Sequence, residues 1–315
     1  MSECWRATGK APIGSKWVDV NKGDATNPLV RSRFVVKEIA TYKTDDFFAA
    51  TPPLEAFRLL LSLAASDAQN IKLEVLDARK AHLHAFADRL VCVQLPPELA
   101  EQGYCAKLVR CLYGTRDAPR RWEAFLAEQL IALGFAKGRA SPCCFFHAGL
   151  GVRCIVHGDD FVLSGTAGAL DEVKARMHER FLLKELGRLG GGQGELKELR
   201  VLNRIIRWTP SGLKYEADPR HGEILVRGVA GAERALSAPG THSKDFEVPS
   251  DAELPGAIAS LFRSFAARAN YLAMDRPDLA QATKELCRRM SAPKAADLQA
   301  LGADMRRHNS LVACA

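Results

Sequence analysis

Two adjacent carboxylates, Asp159 and Asp160, sit in the stretch Cys154–Gly165, CIVHGDDFVLSG. Apolar runs on either side of a Gly/Asp turn predict a β-hairpin with the pair at its apex. Carboxylates held close repel one another unless a proton or a cation intervenes. Hard divalent cations take carboxylate oxygens, so an Mg²⁺ site is one reading of the pair. An ordinary Asp-rich turn is the other, since Asp satisfies nearby backbone N–H groups. A third acid, Asp77, closes the alternating run Leu73, Val75, Asp77. An acid at the end of an apolar strand faces a cleft more readily than a core.

Basic residues gather in two further places. Arg31, Arg33 and Lys37 fall on odd positions of Arg31–Lys37, and strand alternation predicts that they share one face. Such a face suits phosphate contact, and equally a charge-blunted edge strand. Arg110, Arg116, Arg120 and Arg121 crowd the start of a helix read from Pro119 to Gly134, where a helix N-terminus already favours anions. His82 and His84 form an H-x-H pair that on a strand would share a face, but nothing nearby completes a zinc set.

The elements that must position these groups are legible in outline. Strands are expected over 16–20, 31–37, 72–77, 91–95 and 106–109. A core helix follows Thr51-Pro52-Pro53 with Phe57, Leu60, Leu61 and Ala64 on one face, and another carries Leu170, Val173, Met177 and Phe181. The glycine-rich run 187–194 has no G-K-[ST] and reads as a flexible turn, not a phosphate loop. Strands over 201–208 and 213–215 would form a hairpin. Beyond Asp218 the pattern turns helical: 220–229, a linker over 231–255, then 261–274, 279–290 and 295–307. The chain therefore divides near residue 215 into an α+β part and a mainly helical part.

Bulk properties set limits. Lys+Arg 44 against Asp+Glu 37 gives a formal charge of +7, which favours an anionic partner such as nucleic acid. The 9 cysteines form no C-x-x-C framework and read as reduced thiols of an intracellular protein, cytoplasmic or nuclear. The N-terminus lacks the apolar core of a signal peptide, and no apolar run would span a bilayer, so no membrane partner is expected.

Taken in order, several motifs resemble the reverse transcriptase of copia-type retrotransposon polyproteins. Arg31-Ser32-Arg33-Phe34-Val35-Val36-Lys37 is similar to the family's KARLVAK strand. Leu76-Asp77 with Ala81-His82-Leu83-His84 resembles LDVKNAFLH. Leu112-Tyr113-Gly114 through Ala118-Pro119-Arg120-Arg121-Trp122 resembles LYGLKQAPRAW. His157-Gly158-Asp159-Asp160 stands where the family has YVDD, and Lys184-Glu185-Leu186-Gly187 resembles KDLG. Arg263-Ser264, Tyr271-Leu272-Ala273 and Arg276-Pro277-Asp278-Leu279 resemble the YRSLVGSLLYL…TRPDI block.

The resemblance implies a right-hand polymerase: α+β fingers and palm with an antiparallel sheet over 1–215, then a mainly helical thumb over 216–315 that stops before a ribonuclease H. It implies RNA-directed DNA polymerisation from dNTP onto a primer 3′-hydroxyl along an RNA or DNA template–primer. Asp77, Asp159 and Asp160 would be the catalytic, metal-holding acids for two Mg²⁺ or Mn²⁺ ions, because two-metal transfer needs acids converging from separate strands. Lys184 would protonate the pyrophosphate. Arg33, Lys37, His82 and Asp117 would line the nucleotide site, and Arg116, Arg120 and Arg121 would contact nucleic acid.

Departures from the family pattern are informative. His82 replaces an aromatic residue that blocks the ribose 2′-hydroxyl. Asp117 replaces Gln, and a carboxylate near a triphosphate repels it unless an arginine neutralises it; Arg116, Arg120 and Arg121 are the expected partners. His157-Gly158 replaces Tyr-Val, which predicts a looser turn. A catalytically decayed fragment that only binds nucleic acid is the rival reading.

Overall fold

A computed structural model gives the structure of the protein and describes residues 2–24, 26–39, 49–67, 70–217, 219–228, 253–298 and 300–301. The architecture is mixed α/β with antiparallel sheets. Two compact units divide it: Met1–Lys197 with Trp208–Leu213, and Glu198–Arg207 with Lys214–Ala315.

The first unit opens with helix α1 (Ser2–Thr8) and the antiparallel pair β1 (Ser15–Asn21) and β2 (Val30–Val36). Helix α2 (Leu54–Ala65) starts after Pro53 and buries Phe57, Leu60, Leu61 and Ala64, the face its periodicity predicts. Strand β3 (Ile71–Ala78) follows, then the short pair β4 (Cys92–Val93) and β5 (Ala106–Lys107). Helix α3 (Ala118–Ala132) precedes strands β6 (Ala136–Lys137), β7 (Cys144–His147), β8 (Val152–His157) and β9 (Asp160–Thr166). Helix α4 (Ala167–His178) and strand β10 (Leu183–Leu189) complete the core of this unit.

Six of these strands form one sheet in the order β10-β3-β9-β8-β7-β6. Strand alternation divides its core. Leu76, Ala78, Phe161, Leu163 and Val156 pack with Trp122, Leu126 and Leu130 of α3 and with Leu170, Val173 and Met177 of α4. Leu73, Val75 and Val162 point to the opposite face, and α2 lies against β3, β8 and β9. Each fully buried Leu, Phe or Met contributes about 1.5–3 kcal/mol to this core. Strand β3 sits between β9 and β10, so its end, Asp77, is held from both sides.

The second unit carries β11 (Glu198–Val201), most of β12 (Arg204–Thr209) and β13 (Gly212–Glu216), then helices α5 (Pro219–Gly228), α6 (Gly256–Ala273) and α7 (Ala280–Arg288). Leu225, Phe262, Phe265, Ala266, Leu272, Leu279 and Leu286 form its core. Within it Arg204 pairs with the buried Asp275 at 3.0 Å, and the Tyr215 hydroxyl donates to the same carboxylate at 2.6 Å.

Several sequence expectations change. The run 187–194 is not wholly a turn: β10 enters it as far as Leu189, with an irregularity between Glu185 and Gly187. The strand read over 201–208 is broken at Leu202 and Asn203, whose φ values of 49° and 66° make a tight hairpin turn between β11 and β12. His82 and His84 lie on a 3₁₀ turn, Ala81–His84, not on a strand, so they do not share a strand face. Most of the linker expected over 231–255, and the tail of the 295–307 helix, lie outside the described residues. Among the described residues no helix is long and apolar enough to cross a membrane.

Candidate active site

The sheet register assembles the acids. Lys184 stands opposite Asp77 in the β10–β3 ladder, and Asp77 stands opposite Asp160 in the β3–β9 ladder. Directly opposed residues share a face with Cβ atoms about 4.5–5.5 Å apart. Lys184, Asp77 and Asp160 therefore stand in a row across three strands. Asp159 joins them from the β8–β9 turn, and carboxylate oxygens of Asp77, Asp159 and Asp160 all lie within 4.8 Å of one another.

The turn is tight, not loose. His157 pairs with Asp160, leaving Gly158 and Asp159 as a two-residue loop. Gly158 has φ +66°, a conformation that suits glycine at the first loop position. Two hydrogen bonds clamp it: Trp122 Nε1 donates to the Gly158 carbonyl at 2.7 Å, and the Ala78 amide donates to the Asp159 carbonyl at 2.7 Å. The Trp of the Arg120-Arg121-Trp122 motif thus holds the acid-bearing turn, a role sequence reading missed.

Electrostatics record the crowding. Burial, then the charges of Asp159 and Asp77, push Asp160 up to about 6. Burial and Asp159 also raise Asp77, while Lys184, Arg31 and Arg79 pull it back. Three clustered carboxylates, with Asp77 and Asp160 raised in affinity for protons, fit a hard divalent cation, which would take the place of the proton. A pH effect follows. A carboxyl with a raised folded-state value stabilises the fold below its ordinary 3.8, and that contribution is lost as pH rises through about 6. Mg²⁺ is therefore expected to raise the melting temperature at pH 7 but hardly at pH 5. Calorimetry at the two pH values checks this, and an equal shift at both would contradict it.

Beside the acids, a cavity of about 420 Å³ is lined by Thr51, Ala81, His82, Tyr113, Trp122, His157 and Asp159, among others. The His82 ring lies 4.7 Å from that of Tyr113, and Arg33 lies over the other ring's plane at 5.7 Å. Burial lowers the pKa of His82, with Asp159 opposing, so its ring is neutral at pH 7. Nδ1 of His82 and Nε of Arg33 are buried without a hydrogen-bond partner among the described residues. Tyr113 is brought here by the next residue. A Cβ at Gly114 would meet the Val36 carbonyl at 2.0 Å, so only glycine lets this loop pair with β2, where the Val36 amide donates to the Tyr113 carbonyl at 2.8 Å.

Other expected site residues are placed differently. Lys37 lays its side chain over Gly14, beside Gln94. Asp117 is buried and bonded to Arg89 at 2.7 Å, and Arg89 also grips Glu38 at 2.6 and 2.8 Å. The partner of Asp117 is thus Arg89, not Arg116, Arg120 or Arg121. Burial alone would raise Asp117, and the Arg89 hydrogen bond and charge more than reverse it. The Arg116 amide donates to Glu38 at 2.8 Å, Arg121 pairs with Asp88 at 2.8 Å, and Arg120 is exposed. Arg110 bonds the His84 carbonyl and stacks 3.9 Å over Phe86, so it is structural. His84 packs near Trp122, Phe125 and Phe181.

Comparison with known proteins agrees with the motifs. Residues 5–193 match the family described as Reverse transcriptase (RNA-dependent DNA polymerase). The chain is 29% identical over 191 residues to the retrovirus-related Pol polyprotein from transposon TNT 1-94 of Nicotiana tabacum, covering 57% of this chain and 14% of that protein. It is 25% identical over 300 residues to the corresponding polyprotein from transposon RE1 of Arabidopsis thaliana, covering 92% of this chain and 20% of that protein. The chain thus spans a fifth or less of the length of these relatives. An apo telomerase structure from Candida tropicalis superposes with a TM-score of 0.35 at 8% identity, covering 65% of this chain and 56% of that one, too weak a likeness to carry a conclusion. The family match covers more than half of the sequence, and the chain belongs to the reverse transcriptase (RNA-dependent DNA polymerase) family, on the copia-type branch that its motifs resemble.

Proposed function

We propose that this chain is the RNA-directed DNA polymerase of a copia-type retrotransposon. The convergence of Asp77, Asp159 and Asp160 from β3 and the β8–β9 turn carries the reading. The six-stranded sheet would be the palm, β1 and β2 would belong to the fingers, and the helices beyond residue 215 would form the thumb.

The reaction forms a P–O bond between a primer 3′-hydroxyl and the α-phosphate of a dNTP and breaks the bond to pyrophosphate. Two Mg²⁺ or Mn²⁺ ions, when bound, would supply charge neutralisation and activation of the attacking hydroxyl. Asp77 and Asp159 would hold them, and Asp160 would support Asp77, its direct ladder partner. Lys184, next to Asp77 in the row, is suited to give a proton to the departing pyrophosphate. Arg33 would bind the triphosphate, as positioning and charge supply most of the rate in phosphoryl transfer; Lys37, laid over Gly14, would have to swing away from that residue to join it. Arg116, Arg120 and Arg121 would contact the nucleic-acid backbone. Asp117, committed to Arg89, would act by positioning the loop beneath the nucleotide site and not by touching the nucleotide.

His82 has a specific consequence. Its small neutral ring leaves space and an unpartnered nitrogen where a ribose 2′-hydroxyl would lie. His82→Phe is expected to raise selection of deoxyribonucleotides over ribonucleotides on the order of 10-fold or more. Steady-state incorporation of each nucleotide measures it, and an unchanged ratio would remove His82 from the sugar pocket.

The reading is tested with an RNA template annealed to a DNA primer, all four dNTPs, and Mg²⁺ or Mn²⁺. Template-directed, metal-dependent extension is the expected result. The second reading, a fragment that binds nucleic acid without turnover, is favoured by the His82 and Asp117 departures. Tight binding of template–primer by a folded chain that extends nothing would establish it instead.

A further inference from the structure

Three cysteines far apart in the chain meet away from the acids. Cys4 lies on α1, Cys92 on β4, and Cys105 directly before β5. Their Sγ atoms all lie within 4.8 Å of one another. Ordinary backbone pairing brings two of them close: Cys92 stands opposite Lys107 in the β4–β5 ladder, two residues from Cys105. The segment after α1 runs beside β4, with the Ile13 amide donating to the Cys92 carbonyl at 2.9 Å and the Gln94 amide donating to the Ile13 carbonyl at 2.9 Å.

The docking of α1 is less ordinary. Cys4 is the one buried residue of this 7-residue helix, and its large apolar neighbour Trp5 is 60% exposed. So short a helix does not hold itself together in water. One small thiol against two others is a weak apolar anchor. Thiols gathered from three segments are, by contrast, a ligand set for a soft cation.

We propose that Cys4, Cys92 and Cys105 bind a thiophilic divalent cation of the zinc class, which staples α1 to the β4–β5 pair. Zinc–thiolate bonds of about 2.3 Å in tetrahedral geometry put sulfurs about 3.8 Å apart, so the cluster closes by about 1 Å or less. Binding releases three thiol protons to solvent and leaves sulfur at its starting oxidation state, so no oxidant is needed. The fourth position falls to water, which reaches the site on the side of the partly exposed Cys105. The site is independent of the polymerase reading, because soft sulfur donors and the hard oxygen donors of the Asp cluster select different metals.

Cobalt(II) titration of the reduced, metal-stripped full chain tests it. The expected result is a sulfur-to-cobalt charge-transfer band that saturates at one ion per chain and is bleached by zinc. The band should persist in Asp159→Asn and Cys287→Ser and disappear in Cys105→Ser. Chelation of the zinc-loaded chain should speed tryptic cleavage after Arg6 and Lys10 several-fold. A folded wild-type chain that gives no such band would overturn the proposal, whatever the variants do. So would a band that survives Cys105→Ser, or a disulfide between two of the three cysteines in the freshly isolated chain.

Discussion

Asp159→Asn is expected to lower RNA-templated extension by at least about 10³-fold, as removal of a charge-stabilising group from a transfer site does. The same change is expected to leave the metal-free fold as stable or more stable, because Asp159 holds no ladder position and its charge repels both other acids. Its backbone carbonyl still accepts from Ala78, and Trp122 still holds Gly158. The Asp160 carboxyl, raised by burial and by Asp159 and Asp77, should drop toward ordinary values once Asp159 is neutral. Extension assays paired with thermal melts check the two halves. Lost activity with a lowered melting temperature would mean that Asp159 holds the fold and not the reaction.

Arg89→Met is expected to cost up to about 3 kcal/mol of stability, the low end of the penalty for removing one partner of a buried ion pair, because Arg89 itself is 32% exposed. Glu38 and Asp117, with side chains 15% and 7% exposed, would face each other without a cation between them. For a unit of this size that is roughly 10 °C in melting temperature. The sign with pH is fixed by the native state. Despite burial, both carboxyls are held below their ordinary values by Arg89, so their contribution is present at neutral pH and fades as pH falls through the carboxylate range. The penalty of the variant should therefore shrink at pH 4. Adding Asp117→Asn to Arg89→Met should recover part of the loss. An unchanged melting temperature at pH 7 would show that the network is dispensable.

The site was legible where chemistry and local pattern coincided. The hairpin carrying Asp159 and Asp160 has β-branched and aromatic flanks and a glycine in its loop. Asp77 ends an alternating run. The helices led by Phe57, Trp122 and Leu170 show clear apolar faces, and each forms. Strand β10 was not legible, because Lys184–Leu189 has no β-branched residue and contains Gly187; its pairing comes from the neighbouring β3 and not from local preference. The 3₁₀ turn at His82 follows Lys80 in a left-handed conformation, φ 54°, which H-x-H spacing cannot reveal. Arg89 and Asp117 are 28 residues apart, and no periodicity connects them. Nor could spacing single out three cysteines that only the fold of β4 and β5 brings to α1.

Polymerase chemistry here requires Asp77, Asp159 and Asp160 to be a cation site and not an Asp-rich turn. Manganese(II) titration of the folded chain, with free ion followed by electron paramagnetic resonance, tests this most directly, since manganese prefers oxygen to sulfur donors. Saturable binding is expected at pH 7, weakening below about pH 6, where Asp160 takes up its proton, and lost in Asp77→Asn and in Asp159→Asn. Binding that is absent from the wild-type chain with its template–primer, or unchanged in both variants, would contradict a cation site here.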